Sequence, residues 1–571
     1  MHDLVIRGAT VIDGTGSEAQ VADVAVAVDG GLISAVGDKV GPGRREIDAK
    51  GLLLTPGWVD IHTHYDGQAT WDPYLTPSSW HGVTTAVFGN CSVGFAPVRP
   101  GNEPYLINLM EGVEDIPETV LAEGIDFRWE SFPEYLDVLA STPRIMDIGA
   151  QVPHAALRYY VMGERGADFA EAPSAAEIDR MGALLEASLE AGALGFTTSR
   201  TVKHRAADGR LTPGYGAEEA ELTGLAQAMK RAGAGVMEVN SDFGDGDFAR
   251  LRAAAEIAGR PLSVLLVQVD QAPNLWRETL DQVGAACADG LEVTAQVGSR
   301  PIGMLMGLEA TTHPFTTHPL WQEMSELSPK QRFARISGEP ELRRCLVEER
   351  PDDEHVQWMD KVLRRTFELD DAVDYEPAPE QSIAARAKAQ GRDPFDLALE
   401  LLLANDGQAL LLHPFENYCA GDLEVVKEML EDPNTVCGVA DAGAHVGIIC
   451  DASSPTSLLT HWGRDRSRGE RLPLELLVRK QASDTARTYG LLDRGVIATG
   501  YKADLNLIDF DALRLLRPEL VYDLPAGGRR IIQKAVGYRH TFVSGVEVMR
   551  DGKATGELPG QLLRGARNAP N

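Results

Sequence analysis

The sequence predicts an α/β protein in which a (β/α)8 barrel is joined to a small β domain built from the two ends of the chain. Between residue 56 and about residue 485, strand-like apolar runs alternate with helical segments, which is typical of βα units and a parallel sheet. Before and after that stretch, short strand-like runs each end at Gly or Asp, as in a β meander. A length of 571 residues is also too great for one core and fits one large and one smaller domain.

These patterns predict three segments along the chain. Residues 1–55 form the N-terminal half of the β domain, residues 56–485 form the barrel, and residues 486–571 form the C-terminal half and a tail. A polar, helical and charged stretch around residues 320–405 is expected to be an insertion late in the barrel. Nine strand candidates compete for eight barrel positions, and we expect residues 409–413 to be an accessory element. The other eight candidates are residues 58–64, 84–91, 145–152, 193–198, 235–240, 262–268, 291–296 and 436–441.

The charge composition of the chain restricts the kinds of partner that the protein can bind. The chain has 54 Lys and Arg against 85 Asp and Glu, a formal charge of −31, which argues against nucleic acid and anionic membrane surfaces. No apolar run is long enough to span a membrane. The six scattered cysteines indicate reduced thiols in a cytoplasm, and the first residues resemble a strand more than a signal peptide. We therefore expect a cytoplasmic protein with a small-molecule substrate, and we leave a homo-oligomer open.

A pair of histidines on the first barrel strand predicts a metal site. Side chains alternate across a strand, so His62 and His64 share one face of the strand at residues 58–64. They lie about 7 Å apart along the strand, which allows both nitrogens to converge on one cation.

The carboxyl ends of the other barrel strands supply further candidates, because the working groups of such barrels lie at that face. Asp441 follows a buried strand among small residues, where a carboxylate is costly unless a cation or a donor lies near it. Cys91 is open to two interpretations, a metal ligand or a small buried hydrophobe. The remaining strand-end residues are His154, Ser199, Asn240, Gln268 and Gln296.

The histidine pair lies in the run Pro-Gly-Trp-Val-Asp-Ile-His-Thr-His-Tyr-Asp at residues 56–66. This run resembles the first-strand motif of the amidohydrolase superfamily. Other segments resemble the D-aminoacylase, or N-acyl-D-amino-acid deacylase, branch of that superfamily, closely in the first part of the chain and more weakly in the middle. They are residues 67–68, 71–73, 77–79, 82–85, 89–97, 110–117, 192–196 and 493–505.

The resemblance implies a TIM-like barrel with a small β-sandwich domain from both termini, a zinc cofactor and hydrolysis of an amide. On matching positions, His62 and His64 resemble the first-strand ligands, and Cys91 resembles the cysteine that replaces a carboxylated lysine. Asp441 resembles the final-strand aspartate. Lys203 is a weaker alternative for a carboxylated bridge.

The chain departs from the family on strands five and six, where the family carries histidines. Asn240 and Gln268 are the expected replaced ligand positions, with Glu238 as a weaker third. Amide oxygens bind zinc less well than imidazoles, so we expect one tight ion and leave a second open. The tyrosine-rich segment that holds a substrate carboxylate in the family is replaced by a segment containing Arg300, and we predict Arg300 and His445 as substrate-binding residues.

These observations predict a metal-dependent hydrolase that cleaves an amide with metal-activated water, of the non-peptide or N-acyl amino acid type. Asp441 is the predicted proton carrier. One alternative is hydrolysis of a cyclic amide, a lactone or an ester at the same site. An alternative from another class is a catalytically degenerate barrel that acts as a binding protein.

Overall fold

The computed structural model describes residues 1–27, 29–244 and 246–570. The strands are β1 His2–Val11, β2 Gln20–Ala27, β3 Leu32–Gly37, β4 Gly43–Asp48, β5 Leu53–Pro56, β6 Trp58–Asp60, β7 Val83–Phe88, β8 Asp147–Pro153, β9 Gly195–Arg200, β10 Val236–Ser241, β11 Leu262–Leu266, β12 Val293–Val297, β13 Ile302–Met306, β14 Phe367–Leu369, β15 Leu410–Glu416, β16 Thr435–Cys437, β17 Leu505–Ile508, β18 Arg514–Leu515, β19 Glu519–Val521, β20 Arg530–Ile532, β21 Ala535–Val536, β22 Tyr538–Val543, β23 Val546–Arg550 and β24 Lys553–Ala554.

The α-helices alternate with the barrel strands and dominate the late insertion. They are α1 Glu103–Glu114, α2 Glu118–Gly124, α3 Phe132–Ser141, α4 His154–Met162, α5 Ala175–Glu190, α6 Glu219–Ala232, α7 Asp247–Ala258, α8 Leu275–Ala288, α9 Pro319–Gln322, α10 Pro329–Gly338, α11 Pro340–Glu348, α12 Glu354–Val362, α13 Ile383–Gln390, α14 Pro394–Leu402, α15 Ala404–Gly407, α16 Glu424–Glu431, α17 Ser454–Ser457, α18 Leu474–Gln481 and α19 Ser483–Thr488.

The barrel is a sheet of eight parallel strands in the order β6-β7-β8-β9-β10-β11-β12-β16. Its first and last strands meet just beyond their carboxyl ends, where Thr63 and Ala442 form a parallel bridge. There the His64 amide donates to the Ala442 carbonyl at 2.7 Å, and the Asp441 amide donates to the His62 carbonyl at 3.1 Å. The predicted barrel is confirmed, and the bonds that close it run through the histidine pair and Asp441.

The accessory strand is also confirmed. β15 covers residues 410–413 of the predicted run and pairs antiparallel with β13 and β14, in a three-stranded sheet outside the barrel. The stretch around residues 320–405 is mainly helical, as predicted, and contributes most of a separate apolar core.

The two ends of the chain meet in one nine-stranded sheet. β1–β5 come from the N-terminal end, and β17, β22, β23 and β24 come from the C-terminal end. The junction is the antiparallel pair β5–β17, where Leu54 lies opposite Leu507 and both are buried in the core of this sheet. The meeting of the two termini agrees with the sequence, whereas the residue boundaries of the domains stay a prediction.

Two further findings concern membrane-spanning helices and the cysteines. Among the described residues, no helix has both the length and the apolar character needed to cross a membrane. All six cysteines are free.

Candidate metal centre

His62 and His64 follow β6 and lie buried at the carboxyl face of the barrel. The strand ends at Asp60, earlier than predicted, because hydrogen bonds to the segment around Ala442 replace the regular ladder beyond that residue. The convergence that the alternation predicts is still present. His62 Nε2 lies 3.3 Å and His64 Nε2 lies 3.6 Å from the same oxygen, Asp441 Oδ1.

Cys91 and Asp441 reach the pair from loops that follow β7 and β16. Both residues have left-handed backbones, with φ of +54° at Cys91 and +45° at Asp441. Such conformations are uncommon for residues other than glycine and concentrate at functional sites. The Cys91 Sγ lies 3.4 Å from His62 Nε2, so thiol and carboxylate approach the same imidazole nitrogen.

The donor set of this cluster fits a divalent metal ion. Ligand atoms of His62, His64 and Cys91 all lie within 4.8 Å of one another, and Asp441 adds a carboxylate oxygen beside both imidazoles. Two imidazoles, a thiolate and a carboxylate are the ligands that proteins use for zinc. Both ring nitrogens of His64 are buried and make no hydrogen bond among the described residues, although a carboxylate oxygen lies 3.4 Å from Nδ1 and another lies 3.6 Å from Nε2. Buried polar atoms without hydrogen bonds are uncommon, and an ion bound at this place would account for them.

The charges around the cluster favour a positive charge at its centre. Burial alone would lower the pKa of His64, but the Glu114 and Asp441 carboxylates outweigh burial and raise that pKa to about 9. Burial disfavours an ionised Asp441, yet the two histidines hold its pKa below the usual range. Burial lowers the pKa of His62 to about 4 and raises the pKa of Cys91 well above its ordinary value. Without a metal ion, the protonated His64 therefore supplies the charge between two carboxylates.

Each histidine has a partner on its second nitrogen that orients the ring. Gln296 Oε1 lies 3.0 Å from His62 Nδ1, and the Gln296 amide also donates to Ser263 Oγ at 2.9 Å. An Nδ1–H donated to Gln296 leaves the Nε2 lone pair of His62 free to face Cys91. The buried Glu114 acts on His64 through its charge, with Oε1 3.4 Å from His64 Nδ1 in an ion pair.

Glu114 is the last residue of α1, and its other oxygen lies 3.5 Å from His445 Nε2. Removing such a partner typically costs 10–100-fold in metal affinity, so we expect Glu114→Ala to weaken metal binding by about that factor. Glu114→Gln keeps an acceptor and should lose less. The control is Glu111→Gln on the same helix, since its amide oxygen can still accept from the Glu118 amide. Calorimetric titration of metal-free protein measures the change, and equal affinities for Glu114→Ala and the control would contradict this role.

Asn240 lies beside the cluster, between Cys91 and His204. The sequence did not predict His204 as a site residue. The Asn240 Nδ2 lies 3.8 Å from Cys91 Sγ and 3.3 Å from His204 Nε2. Burial lowers the pKa of His204 to about 3, so this imidazole is neutral at physiological pH. The signal that could have found it is a histidine in the loop after β9, at the working face of the barrel.

Gln268 and Lys203 are not brought to the histidine pair. The Gln268 amide donates to the Pro273 carbonyl at 3.2 Å and accepts from the Cys419 backbone at 3.3 Å, so loop backbone occupies both of its polar atoms. Lys203 forms an ion pair with Glu416 and is half exposed. Of the two positions where the family's histidines were expected to be replaced, the structure brings only the strand-five position to the cluster.

The two predicted substrate-binding residues differ in their surroundings. Arg300 is buried, pairs with Asp451 at 2.8 Å, and stacks on Tyr375 with the guanidinium 3.9 Å from the ring centre. Its Nη1 is buried without a partner among the described residues. His445 is partly exposed and contacts Glu114.

Comparisons with known proteins agree with this geometry. The model of the amidohydrolase family matches residues 45–549. An N-acyl-D-aspartate deacylase of Alcaligenes xylosoxydans xylosoxydans is 30% identical over 578 residues, covering 98% of this chain and 95% of that protein. An N-acyl-D-glutamate deacylase from Bordetella bronchiseptica, solved with zinc and a phosphonate inhibitor, is 26% identical with a TM-score of 0.64 and 99% of each chain covered. A solved D-aminoacylase, 24% identical over 99% of this chain and all of its own, shares the fold with a TM-score of 0.65.

The fold and the buried donor set define a metal-dependent hydrolase of carbon–nitrogen bonds other than peptide bonds. The chain belongs to the amidohydrolase family. Its resemblance to the N-acyl-D-amino-acid deacylase branch, predicted from residues 56–66 and the segments after them, is confirmed.

Proposed function

We propose that this enzyme hydrolyses the amide of an N-acyl amino acid with one tightly bound zinc ion, held by His62, His64, Asp441 and Cys91. The observation that carries the proposal is the convergence of both histidines on Asp441 Oδ1, at 3.3 and 3.6 Å, with Cys91 Sγ beside them. The zinc complex of the related N-acyl-D-glutamate deacylase supports the choice of ion.

His62, His64, Asp441 and Cys91 would hold the ion, which when bound would supply polarisation of the amide carbonyl and a lower pKa for the attacking water. Gln296 and Glu114 keep the Nε2 atoms of the two histidines turned inward. Asp441 accepts the proton of the water and delivers it to the leaving amine, which is otherwise too basic to depart.

Arg300 and His445 are proposed to bind the carboxylate of the substrate. The Nη1 of Arg300, which has no partner in the part of the chain that the structure describes, is a charged donor, and burying such a donor costs free energy unless it is paired. A carboxylate would complete it with a charge-assisted hydrogen bond. Relatives that act on N-acyl-D-aspartate and N-acyl-D-glutamate support an acylated amino acid of D configuration as the substrate.

The test combines metal content with a substrate panel. Protein purified without added metal should contain about one equivalent of zinc and should hydrolyse N-acetyl-D-amino acids faster than their L enantiomers. A hydantoin, a lactone and an ester in the same panel would reveal the alternative substrates. Less than about a tenth of an equivalent of metal, with activity that a chelator leaves unchanged, would contradict the proposed site. Bound metal without hydrolysis of any compound would favour the binding-protein alternative.

The proposal places the enzyme in a reducing cytoplasm, which the six free thiols support. The chemistry requires no nucleic-acid or membrane partner. A homo-oligomer stays a prediction that gel filtration with light scattering would test.

A further inference from the structure

One segment after the last barrel strand is wound as a π-helix. It covers Leu458–Asp465 and follows the short helix α17. At its end the Arg466 amide donates to the His461 carbonyl at 2.8 Å, five residues back along the chain. Helices of this kind are rare, mostly single turns, and frequently lie at functional sites. The contacts made by the side chains of these eight residues and of Arg466 show what this one is built to hold.

The first contact of the π-helix is with the residue before Arg300. Trp462 is fully buried, and its Nε1–H donates to the Ser299 carbonyl at 2.7 Å. Because that carbonyl belongs to the planar peptide unit joining Ser299 to Arg300, the hydrogen bond restricts the Arg300 backbone. The Arg300 Nη2 donates to the Cys450 carbonyl at 2.7 Å and to Asp451 at 2.8 Å. The direction of the guanidinium is therefore fixed at both ends of the residue.

The second contact is with the residue after Tyr375. Glu376 is buried, and each of its oxygens accepts a hydrogen bond from Arg466 at 3.0 Å. A paired contact of this kind fixes orientation as well as distance. His461 Nε2 lies 3.1 Å from Glu376 Oε2. Tyr375 is thus held from its neighbour in the chain, while its own OH donates to Gln533 at 2.9 Å.

The π-helix thereby contacts both partners of one stack. The Arg300 guanidinium lies 3.9 Å from the centre of the Tyr375 ring, although the two residues come from distant segments. The two contacts also form one unit, since the Arg466 guanidinium lies 4.5 Å from the centre of the Trp462 ring. An α-helix, with one residue fewer between bonded groups, would turn the side chains after His461 in other directions.

We propose that this π-helix positions the Arg300–Tyr375 stack so that Arg300 Nη1 meets the carboxylate of the substrate, with Trp462 and His461 as positioning residues. The inference rests on the proposed function, in which Arg300 binds that carboxylate. It assigns to the π-helix the preference of the enzyme for acids over neutral analogues. Neither positioning residue is required to touch the substrate or the metal ion.

Kinetics with two matched substrates test the proposal in the full-length protein. They are an N-acetyl-D-amino acid and its carboxamide, which has a similar shape without the charge. Wild-type protein should prefer the acid in kcat/KM by about 10–100-fold, the factor that a charge-assisted hydrogen bond typically provides. Trp462→Phe keeps a ring beside Arg466 and removes the bond to Ser299. It should raise KM for the acid by about tenfold and leave kcat, and the kinetics of the carboxamide, unchanged.

His461→Ala is a second variant, which the fold should tolerate because the side chain is partly exposed. It should also raise KM for the acid, by a smaller factor, since Arg466 still holds Glu376. The matched control is Trp129→Phe, which removes a buried indole hydrogen bond to the Phe95 carbonyl at 2.8 Å, on another segment of the chain. This control should leave the preference for the acid unchanged.

Arg300→Lys separates the inference from the proposed function, because lysine keeps a charge beside Asp451 but lacks the planar fork of arginine. An unchanged preference in this variant, or none in wild-type protein, would contradict the proposed carboxylate site and the inference with it. A lower preference in Arg300→Lys, with both π-helix variants behaving as wild type, would overturn the inference alone. Equal losses on acid and carboxamide in the π-helix variants would also overturn it, since they would show a general structural role. Melting curves and zinc contents ensure that only folded, metal-loaded proteins are compared.

Discussion

Replacing Asp441 by Asn is expected to lower turnover by at least about a hundredfold, the lower limit for general acid–base catalysis. Asparagine keeps the size and the hydrogen bonding of the side chain but cannot accept a proton from water. The histidines hold the pKa of Asp441 below its usual range, so it is ionised and able to act as a base at neutral pH. Turnover on an accepted substrate, a melting curve and the metal content should be measured together.

The control for this substitution is Asp270→Asn. The Asp270 side chain is 44% exposed and pairs with Arg365 at the surface, where an ion pair contributes little. Its activity should stay within a fewfold of wild type. If Asp441→Asn also stays within a fewfold, the proton carrier lies elsewhere, and His445 becomes the next candidate.

Replacing His64 by Ala is expected to remove the tight metal ion and, with it, activity. His64 faces Asp441 on one nitrogen and Glu114 on the other. Its loss removes one of the proposed metal ligands and leaves these two carboxylates without a nearby positive charge. Affinity should fall by more than about a hundredfold, the upper limit for loss of an orienting partner alone. Elemental analysis and zinc titration measure the loss. The control is His355→Ala, a half-buried histidine on α12 whose ring contacts the His313 carbonyl at 3.0 Å. Retention of a full equivalent of zinc would exclude His64 as a ligand.

The same site predicts the direction of the pH dependence of metal binding. In the metal-free protein the pKa of His64 is about 9, and burial keeps the pKa of Cys91 well above its ordinary value. Both groups are therefore protonated at neutral pH and must release protons to bind a cation. The affinity of the protein for the metal ion should therefore rise with pH, by about tenfold per pH unit for each proton displaced, and the contribution of His64 should level off at about pH 9. Titrations between about pH 6 and 8 that gave one constant affinity would contradict this assignment of protons.

The sequence by itself determined the barrel and the convergence of the two histidines at the candidate metal centre. Alternating strand-like and helical runs predict parallel βα units, because each pattern follows the period of its own backbone. The same period places His62 and His64 on one face, and this convergence survives although the regular strand ends at Asp60. Asp441 could be singled out because a buried carboxylate needs a partner, wherever that partner comes from.

Only the tertiary structure decided which residues surround that centre. Glu114 contacts His64 from the end of α1, and His204 contacts Asn240 from a loop. The Gln268 side chain instead forms hydrogen bonds with loop backbone. Local periodicity fixes the face of a strand on which a side chain lies, but it does not fix where a loop or a helix end packs. Those positions depend on contacts between segments far apart in the chain. The side chains that converge at the candidate metal centre could therefore be singled out from the sequence, whereas the residues that contact them from other segments could not.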